Sequence, residues 1–344
     1  MSDFQRPISP LTVMDDLLPA LPKVLQQLAE YEIADLIGED SKSLDELAQA
    51  TGAQPDMLYA LLKTAEAAEY FIESAPGSFA NTPLSRFLSP HVPGSQYNMA
   101  RMLGADSQWR VWEQLDHGVK TGKEVFSDLY GQKEWEYFRD HPDKGIFFMK
   151  AMTEFSEAVN QPIAQAYPDF AHLQTLVDLG GGQGTLLATI LNAYPSLHGI
   201  LFDVPPVIEQ ARQVASWQAL ASRSQFVAGN FFDAQGIPSA DAVILKQIVQ
   251  DWSDEENVQI LRNIRTALPQ HGRVLVAEMV LSPSSPPFAF KLSLLLRLAL
   301  GGKVRTEEDF HRLFKEAGFQ LTRIIPTRSL FSLIEGVPAD AVYS

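Results

Sequence analysis

Three consecutive glycines at the end of an apolar run constrain this chain more than any other feature. The stretch reads Thr175-Leu-Val-Asp-Leu, then Gly180-Gly-Gly-Gln-Gly-Thr185, and leads into the amphipathic segment Leu186 to Tyr194. A strand, a tight turn and a helix in that order open a doubly wound sheet of the nucleotide-binding type. Glycine lets the backbone approach a ligand and take conformations other residues resist. The helix then offers its unpaired N–H groups to whatever lies in the turn.

The acidic residues say which ligand suits that turn. A dinucleotide site needs Gly-x-Gly-x-x-Gly, and counting from Gly180 or Gly182 the last position falls on Thr185 or Leu187. Asp178 stands where a pyrophosphate would be repelled and an ammonium or sulfonium group attracted. Asp203 ends the next apolar run, Leu197 to Phe202, and an acid there suits the two hydroxyls of an adenosine ribose. S-adenosylmethionine therefore fits better than NAD; the bland reading is a strand, turn and helix with no ligand.

The 344 residues suit two domains or one large domain with an added module, and 46% hydrophobic content is ample for their cores. Leu292 to Leu300, the longest apolar stretch, is interrupted by Ser293 and Arg297, so no membrane span is expected. The start, MSDFQRP, lacks a basic region followed by an apolar one, so no signal peptide is expected. Cysteine is absent, which excludes disulfides and thiolate chemistry and fits a cytoplasmic protein. No metal is expected. With 27 Lys and Arg against 42 Asp and Glu, the net charge of −15 repels nucleic acid and anionic lipid and favours a small-molecule partner.

Taken in order, residues 1 to 105 read as a small, mainly helical domain. Pro19 to Leu36 has helical apolar spacing, and Ser43 with Glu46 is in capping-box register. A further helix runs from Asp56 to Ala68, and Tyr70-Phe-Ile-Glu with Phe79-Ala-Asn-Thr suggests a hairpin across Pro76-Gly77. This is a helix–turn–helix with a wing, but its second helix offers only Lys63 against Asp56, Glu66 and Glu69. Dimerisation is the expected use, not DNA binding. Residues 106 to 165 form an aromatic-rich helical linker whose rings mostly belong to a core. From 166 to 344 strands and helices alternate. Strands are expected at Leu176–Leu179, His198–Phe202, Gln225–Ala228, Ala242–Leu245, Arg273–Ala277 and Phe319–Ile325, in a doubly wound, mostly parallel Rossmann-like α/β sheet. Asn230, Lys246 and Glu278 then lie with Asp178 and Asp203 at the carboxyl ends of the strands.

Six stretches carry a resemblance. They are Val177-Asp-Leu-Gly-Gly-Gly-Gln-Gly, Phe202-Asp-Val-Pro, Gly229-Asn-Phe-Phe, Leu245-Lys-Gln-Ile-Val-Gln-Asp-Trp-Ser-Asp-Glu-Glu, Val276-Ala-Glu-Met-Val-Leu and Gly301-Gly-Lys-Val-Arg-Thr-Glu-Glu-Asp-Phe. In this order, over nearly the whole chain, the sequence resembles the caffeate/hydroxyindole type of S-adenosylmethionine-dependent O-methyltransferase, with its winged-helix dimerisation module. The resemblance implies a homodimer, with Gly180 on the methionine part of the cofactor and Asp203 on the ribose. Val204, Asn230 and Phe231 would surround the adenine, with Ser156 and Lys246 as further cofactor contacts beside Asp178 and Gly182. Phe148, Met152 and Trp252 match positions lining an acceptor pocket, with plain core packing as the alternative. Arg297, on an otherwise apolar helix near that pocket, would pair with an anionic acceptor or extend its charge to solvent.

The departures from the pattern bear on mechanism. The family's histidine base, immediately before Asp-Trp, is Gln250 here. The acid expected at the centre of Lys-x-Arg-Thr is Val304, and Asn230 replaces an aspartate. Of the acids that bracket the base, Glu278 remains. A phenol with pKa near 10 ordinarily needs a neighbouring base at neutral pH, and neither Gln nor Val can serve. Glu278 either holds Gln250 or itself takes a proton late. The expectation is a methyltransferase acting on oxygen or carbon of a small aromatic or conjugated metabolite, whose rate lacks the acid limb of a catalytic histidine. A cofactor-dependent reaction without methyl transfer, and a non-catalytic dimer, are the alternatives.

Overall fold

The computed structural model describes residues 9–18, 20–233 and 235–339. The start MSDFQRP and Pro19, on which two of the expectations fall, lie outside the described residues. The chain divides into two compact units. One holds the residues up to Trp109 with Lys150–Phe155, the other Arg110–Met149 with the chain from Ser156 onward.

In the first unit the apolar spacing between Pro19 and Leu36 resolves into two helices, Leu21–Glu30 and Ile33–Ile37. Leu28 and Ile33 are both buried but five residues apart, too far for one helical stripe. A break at Glu32, with φ 51°, brings both inward. Helix Leu44–Thr51 carries the expected capping box between Ser43 and Glu46 and ends at Gly52, with φ 70°. Helix Pro55–Ala67 follows. Strands β1 (Ser41–Ser43), β2 (Phe71–Ala75) and β3 (Ser78–Asn81) make an antiparallel sheet in the order β1-β3-β2. The wing is therefore present, and β1, too short and polar to signal itself, completes it. Leu28, Ile33, Leu47, Leu58, Leu62, Phe71 and Phe79 share one core. Each such residue stabilises the unit by roughly 1.5–3 kcal/mol through burial. Lys63, the one cation of the second helix, lies between Glu66 and Glu73.

The second unit is built on a seven-stranded sheet of β4 (Thr175–Leu179), β5 (His198–Asp203), β6 (Ser224–Ala228), β7 (Ala242–Lys246), β8 (Arg273–Glu278), β11 (Phe319–Pro326) and β12 (Ser332–Pro338). The short β9 (Val280–Leu281) and β10 (Arg305–Thr306) pair separately in parallel. The large sheet runs β11-β12-β8-β7-β4-β5-β6. Neighbours from β8 to β6 are parallel, while β12 is antiparallel to both β8 and β11. β4 and β7 are buried almost throughout, in keeping with sequences that are apolar apart from Thr175 and Asp178 in β4 and Lys246 at the end of β7. β12 was not foreseen because Ser332-Leu-Ile-Glu-Gly-Val-Pro places an acid and a glycine at its centre. Glu335 is nonetheless buried, held by Tyr167, Thr322, Arg273 and Arg323. Hydrogen bonds from Arg323, Thr322 and Tyr167 overcome the cost of burial and hold its pKa down at about 2. The strand order reverses at β4, so the crevice for a ligand opens where β4, β5 and β7 end.

Residues 110–149 of this unit pack through Val111, Val125 and Phe126 against Leu298 and Ala299 of helix Pro287–Ala299. Gly118 allows that contact, since a Cβ there would lie 2.5 Å from Leu298.

Candidate active site

Beyond β4 the backbone needs its glycines. Gly180, Gly182 and Gly184 have φ of 70°, 60° and 77°, a region that strains residues with a side chain. A Cβ on Gly180 would meet Ile248 at 2.6 Å, and one on Gly181 would meet the carboxylate of Asp178 at 2.6 Å, whereas Gly182 faces open space. Helix Thr185–Ala193 begins directly after this turn.

Asp178 is 1% exposed, and its Oδ2 has no hydrogen-bond partner among the described residues. Burial pushes its pKa up and the Lys246 charge opposes this; burial likewise pushes Lys246 down and Asp178 opposes that. Lys246 ends β7 and donates to the hydroxyl of Ser156. Asp203 at the end of β5 accepts from Gly182 N at 2.9 Å through Oδ2 and from Val204 N at 2.7 Å through Oδ1. Two backbone amides thus fix its carboxylate, while each oxygen keeps a lone pair for a ligand hydroxyl. Asn230, after β6, accepts from Phe232 N at 3.0 Å. The expected cofactor residues Ser156, Asp178, Gly180, Gly182, Asp203, Val204, Asn230, Phe231 and Lys246 all lie around the ends of β4 to β7. An orphaned buried carboxylate oxygen, a turn without side chains and an anchored acid on the next strand fit the ammonium, the chain and the ribose of S-adenosylmethionine.

The second part of the site is the loop after β7. Gln247 has φ 57°, an uncommon conformation for a residue with a side chain, and it turns the next three residues back toward β8. Glu278, the last residue of β8, receives the amides of Ile248, Val249 and Gln250, the last at 2.9 Å through Oε1. It is 1% exposed, and its Oε2 has no hydrogen-bond partner among the described residues. Burial pushes its pKa up to about 7 against the pull of those amides and of the Arg305 charge. The question left open by the sequence is answered in part: Glu278 holds the backbone of Gln250. The side-chain amide of Gln250 bonds Asp251 instead. Asp251 is raised well above its ordinary range by burial, then by the nearby Glu278 and Glu134 carboxyls.

Arg305 fixes this loop from behind. Its fully buried guanidinium donates to Val249 O, to Trp252 O at 3.0 Å and to Asp254 Oδ1 at 2.6 Å. Lys303 N donates to Gln250 O at 2.8 Å, and Val304 N to Ser293 Oγ at 3.2 Å. A Cβ on Gly302 would lie 2.0 Å from Gln250 O, so only glycine lets the two segments touch. Asp251, Glu134 and Arg305 were missed as site residues. Asp251 and Arg305 stood within quoted motifs, while Glu134 carried no signal.

Rings form the third part. Trp252 meets Phe232, Phe231 and Trp135 at centroid distances of 4.9, 5.7 and 6.3 Å, and Phe148 meets Trp135 at 5.5 Å and Phe138 at 5.0 Å. Trp135 Nε1 is buried without a partner. Trp135, one of the rings of the helical linker, lies between Phe148 and Trp252. Val304 is buried beside the loop. Met152 belongs to the first unit, on Lys150–Phe155. Arg297 is exposed, while Ser293, Leu296, Leu298 and Ala299 are the buried residues of its helix. That exposure is in keeping with the second of its two readings, a charge extended to solvent where it stays hydrated.

Two family profiles match the chain: an O-methyltransferase domain over residues 112–320 and an O-methyltransferase dimerisation domain over residues 18–90. A phenazine O-methyltransferase of Lysobacter antibioticus is 36% identical over 311 residues, covering 90% of each chain. The crystal structure of LaPhzM superposes with a TM-score of 0.89 at 34% identity, covering 97% of this chain and 100% of that one. The O-methyltransferase NcsB1 of neocarzinostatin biosynthesis, solved with S-adenosylmethionine and 2-hydroxy-5-methyl naphthoic acid, gives a TM-score of 0.80 at 28% identity, covering 93% and 96%.

Proposed function

This chain belongs to the O-methyltransferase family and takes S-adenosylmethionine as its methyl donor, and we propose that it methylates a hydroxyl of a planar aromatic metabolite with Glu278 taking the proton. The observation that carries this reading is the free Oε2 of Glu278, an unpartnered carboxylate oxygen beside the position where the resemblance expects a histidine. When bound, the donor supplies a methyl group already activated for displacement. Asp203 orients its ribose, and Asp178 faces its cationic end. Glu278 receives the hydroxyl proton at Oε2, while the amides of residues 248–250 steady its other oxygen. Gln250 orients Asp251 and does no proton transfer. Phe148, Trp135 and Trp252 offer flat apolar surface to a ring system, and Trp135 Nε1 offers a donor to a carbonyl or ring nitrogen on it.

The relatives with planar acceptors support this class, and O-methylation is favoured over a reaction that keeps the methyl group on sulfur. A second copy of the chain is the partner, through the dimerisation domain. Helix Pro10–Leu17 buries none of its residues and leaves Leu11, Val13, Met14 and Leu17 exposed, an apolar surface that suits such an interface. Among the described residues no helix is long and apolar enough to cross a membrane. A chain without cysteine suits the cytoplasm.

Two measurements test this reading. With methyl-labelled donor and a panel of hydroxylated phenazines and naphthoic acids, label is expected on the oxygen of at least one acceptor. A chain that binds the donor yet labels carbon, or nothing in the panel, overturns the assignment. Asp203→Ala is expected to weaken donor binding by about 1–3 kcal/mol, because ribose hydroxyls lose their partners. Calorimetry giving the parent's affinity in that variant removes Asp203 from the site.

A further inference from the structure

We propose that Asn230 makes the donor site tolerant of the nucleobase, accepting a 6-oxopurine (inosine-type) ligand as well as the adenine one. The proposal rests on the donor reading above. β6 lies beside β5, with Ala228 paired to Asp203, and Gly229 N donates to Asp203 O at 3.0 Å. Asn230 therefore follows two residues after the pairing partner of the ribose acid. On the other side of β5, the end of β4 is filled by the glycine turn and Asp178, which suit the charged end of the ligand. The base of a nucleoside held at Asp203 extends over the end of β6, toward Asn230 and Phe231.

The side chain of Asn230 is exposed and has one hydrogen bond among the described residues, from Phe232 N to Oδ1 at 3.0 Å. A backbone N–H can only donate, so the atom facing it is the oxygen and the amide orientation is fixed. That leaves the NH2 group, with both donors free, as the polar end available to a base. An adenine amino group at position 6 donates and must use the second lone pair of Oδ1. A 6-oxo group accepts and meets the NH2 group directly. Aspartate at this position has no N–H, so it accepts the amino group and opposes the oxo group with its charge. The residue that departs from the family's acid thus changes the base edge the site can read, while its turn stays the same.

The test is calorimetry on the full chain with S-adenosylhomocysteine and S-inosylhomocysteine, in the parent and in Asn230→Asp. The aspartate oxygen still accepts from Phe232 N, so the variant keeps the turn and changes only NH2 to oxygen. The parent is expected to bind the two ligands within about tenfold of each other. The variant is expected to widen the preference for S-adenosylhomocysteine by a further 10-fold or more, the scale of one hydrogen bond exchanged for opposed lone pairs. A parent that binds S-adenosylhomocysteine but prefers it by over a hundredfold, or a ratio unchanged in Asn230→Asp, overturns the proposal and leaves the donor reading standing. A parent that binds neither ligand overturns both.

Discussion

Glu278→Gln lowers kcat by about 10²–10⁴-fold, the range for losing a positioned proton acceptor, and abolishes the pH dependence of the parent near neutrality. The carboxyl of Glu278, pushed up to about 7 by burial, carries its own proton below that pH and cannot take another. Turnover with saturating donor should therefore rise with pH through about 7 and then level. The sequence alone, where Gln250 does not titrate, leads to the expectation of no acid limb. The raised carboxyl of Glu278 leads to the opposite prediction, an acid limb without a histidine. The same shift acts on stability: its folded pKa lies above the ordinary 4.5, so stability falls as pH rises from about 4.5 to 7. Glutamine at 278 should make that slope shallower, the buried carboxyls of Asp178 and Asp251 keeping their own shares. A variant that keeps the parent's kcat and inflection would exclude Glu278 as the base.

Arg305→Met costs about 2–4 kcal/mol of stability and releases the loop 249–254. The substitution keeps the bulk of the side chain but leaves Val249 O and Trp252 O with the Asn257 amide as their remaining donor, at 2.8 and 2.9 Å. Breaking a wholly buried ion pair costs about 3–5 kcal/mol. The figure here is lower because Asp254 is 36% exposed and keeps Lys303 and Arg312. Urea denaturation of both proteins gives the difference, and a change below about 0.5 kcal/mol would show that the loop holds itself. Arg305→Lys retains charge but not the planar fork and should recover only part of the loss.

Much of this was legible in the sequence, for identifiable reasons. Strands β4, β5, β7 and β8 are buried by neighbours on both faces, so their apolar runs announce them, and glycines with positive φ mark the turn. Asp203 was placed by the rule that an acid ends the second strand, and its bonds to Gly182 and Val204 agree with that place. β12 escaped because the partners that offset the burial of Glu335 lie on other elements: Arg323 and Thr322 on the neighbouring strand, and Arg273 and Tyr167 62 and 168 residues away. Glu134 escaped for the same reason: a buried acid in a helix of Glu134–Asp140 looks like a solvated one until Asp251 is beside it. Arg297 was left with two readings because an arginine in an apolar helix fits a ligand contact and a surface charge alike.

The glycine at position 302 couples two properties that an engineer would prefer to vary independently. Helix Pro287–Ala299 is joined through Ser293 to Val304 N, and the adjoining residues Gly302 and Lys303 rest on the carbonyl of Gln250, one residue from Asp251 and on the loop whose amides hold Glu278. Substitutions that shift this helix will therefore also shift the loop that holds Glu278, the proposed proton acceptor. Variants repacked along this helix should show a pH optimum that drifts from the parent's, and rescue should come from substitutions in residues 248–254 more often than from the helix itself.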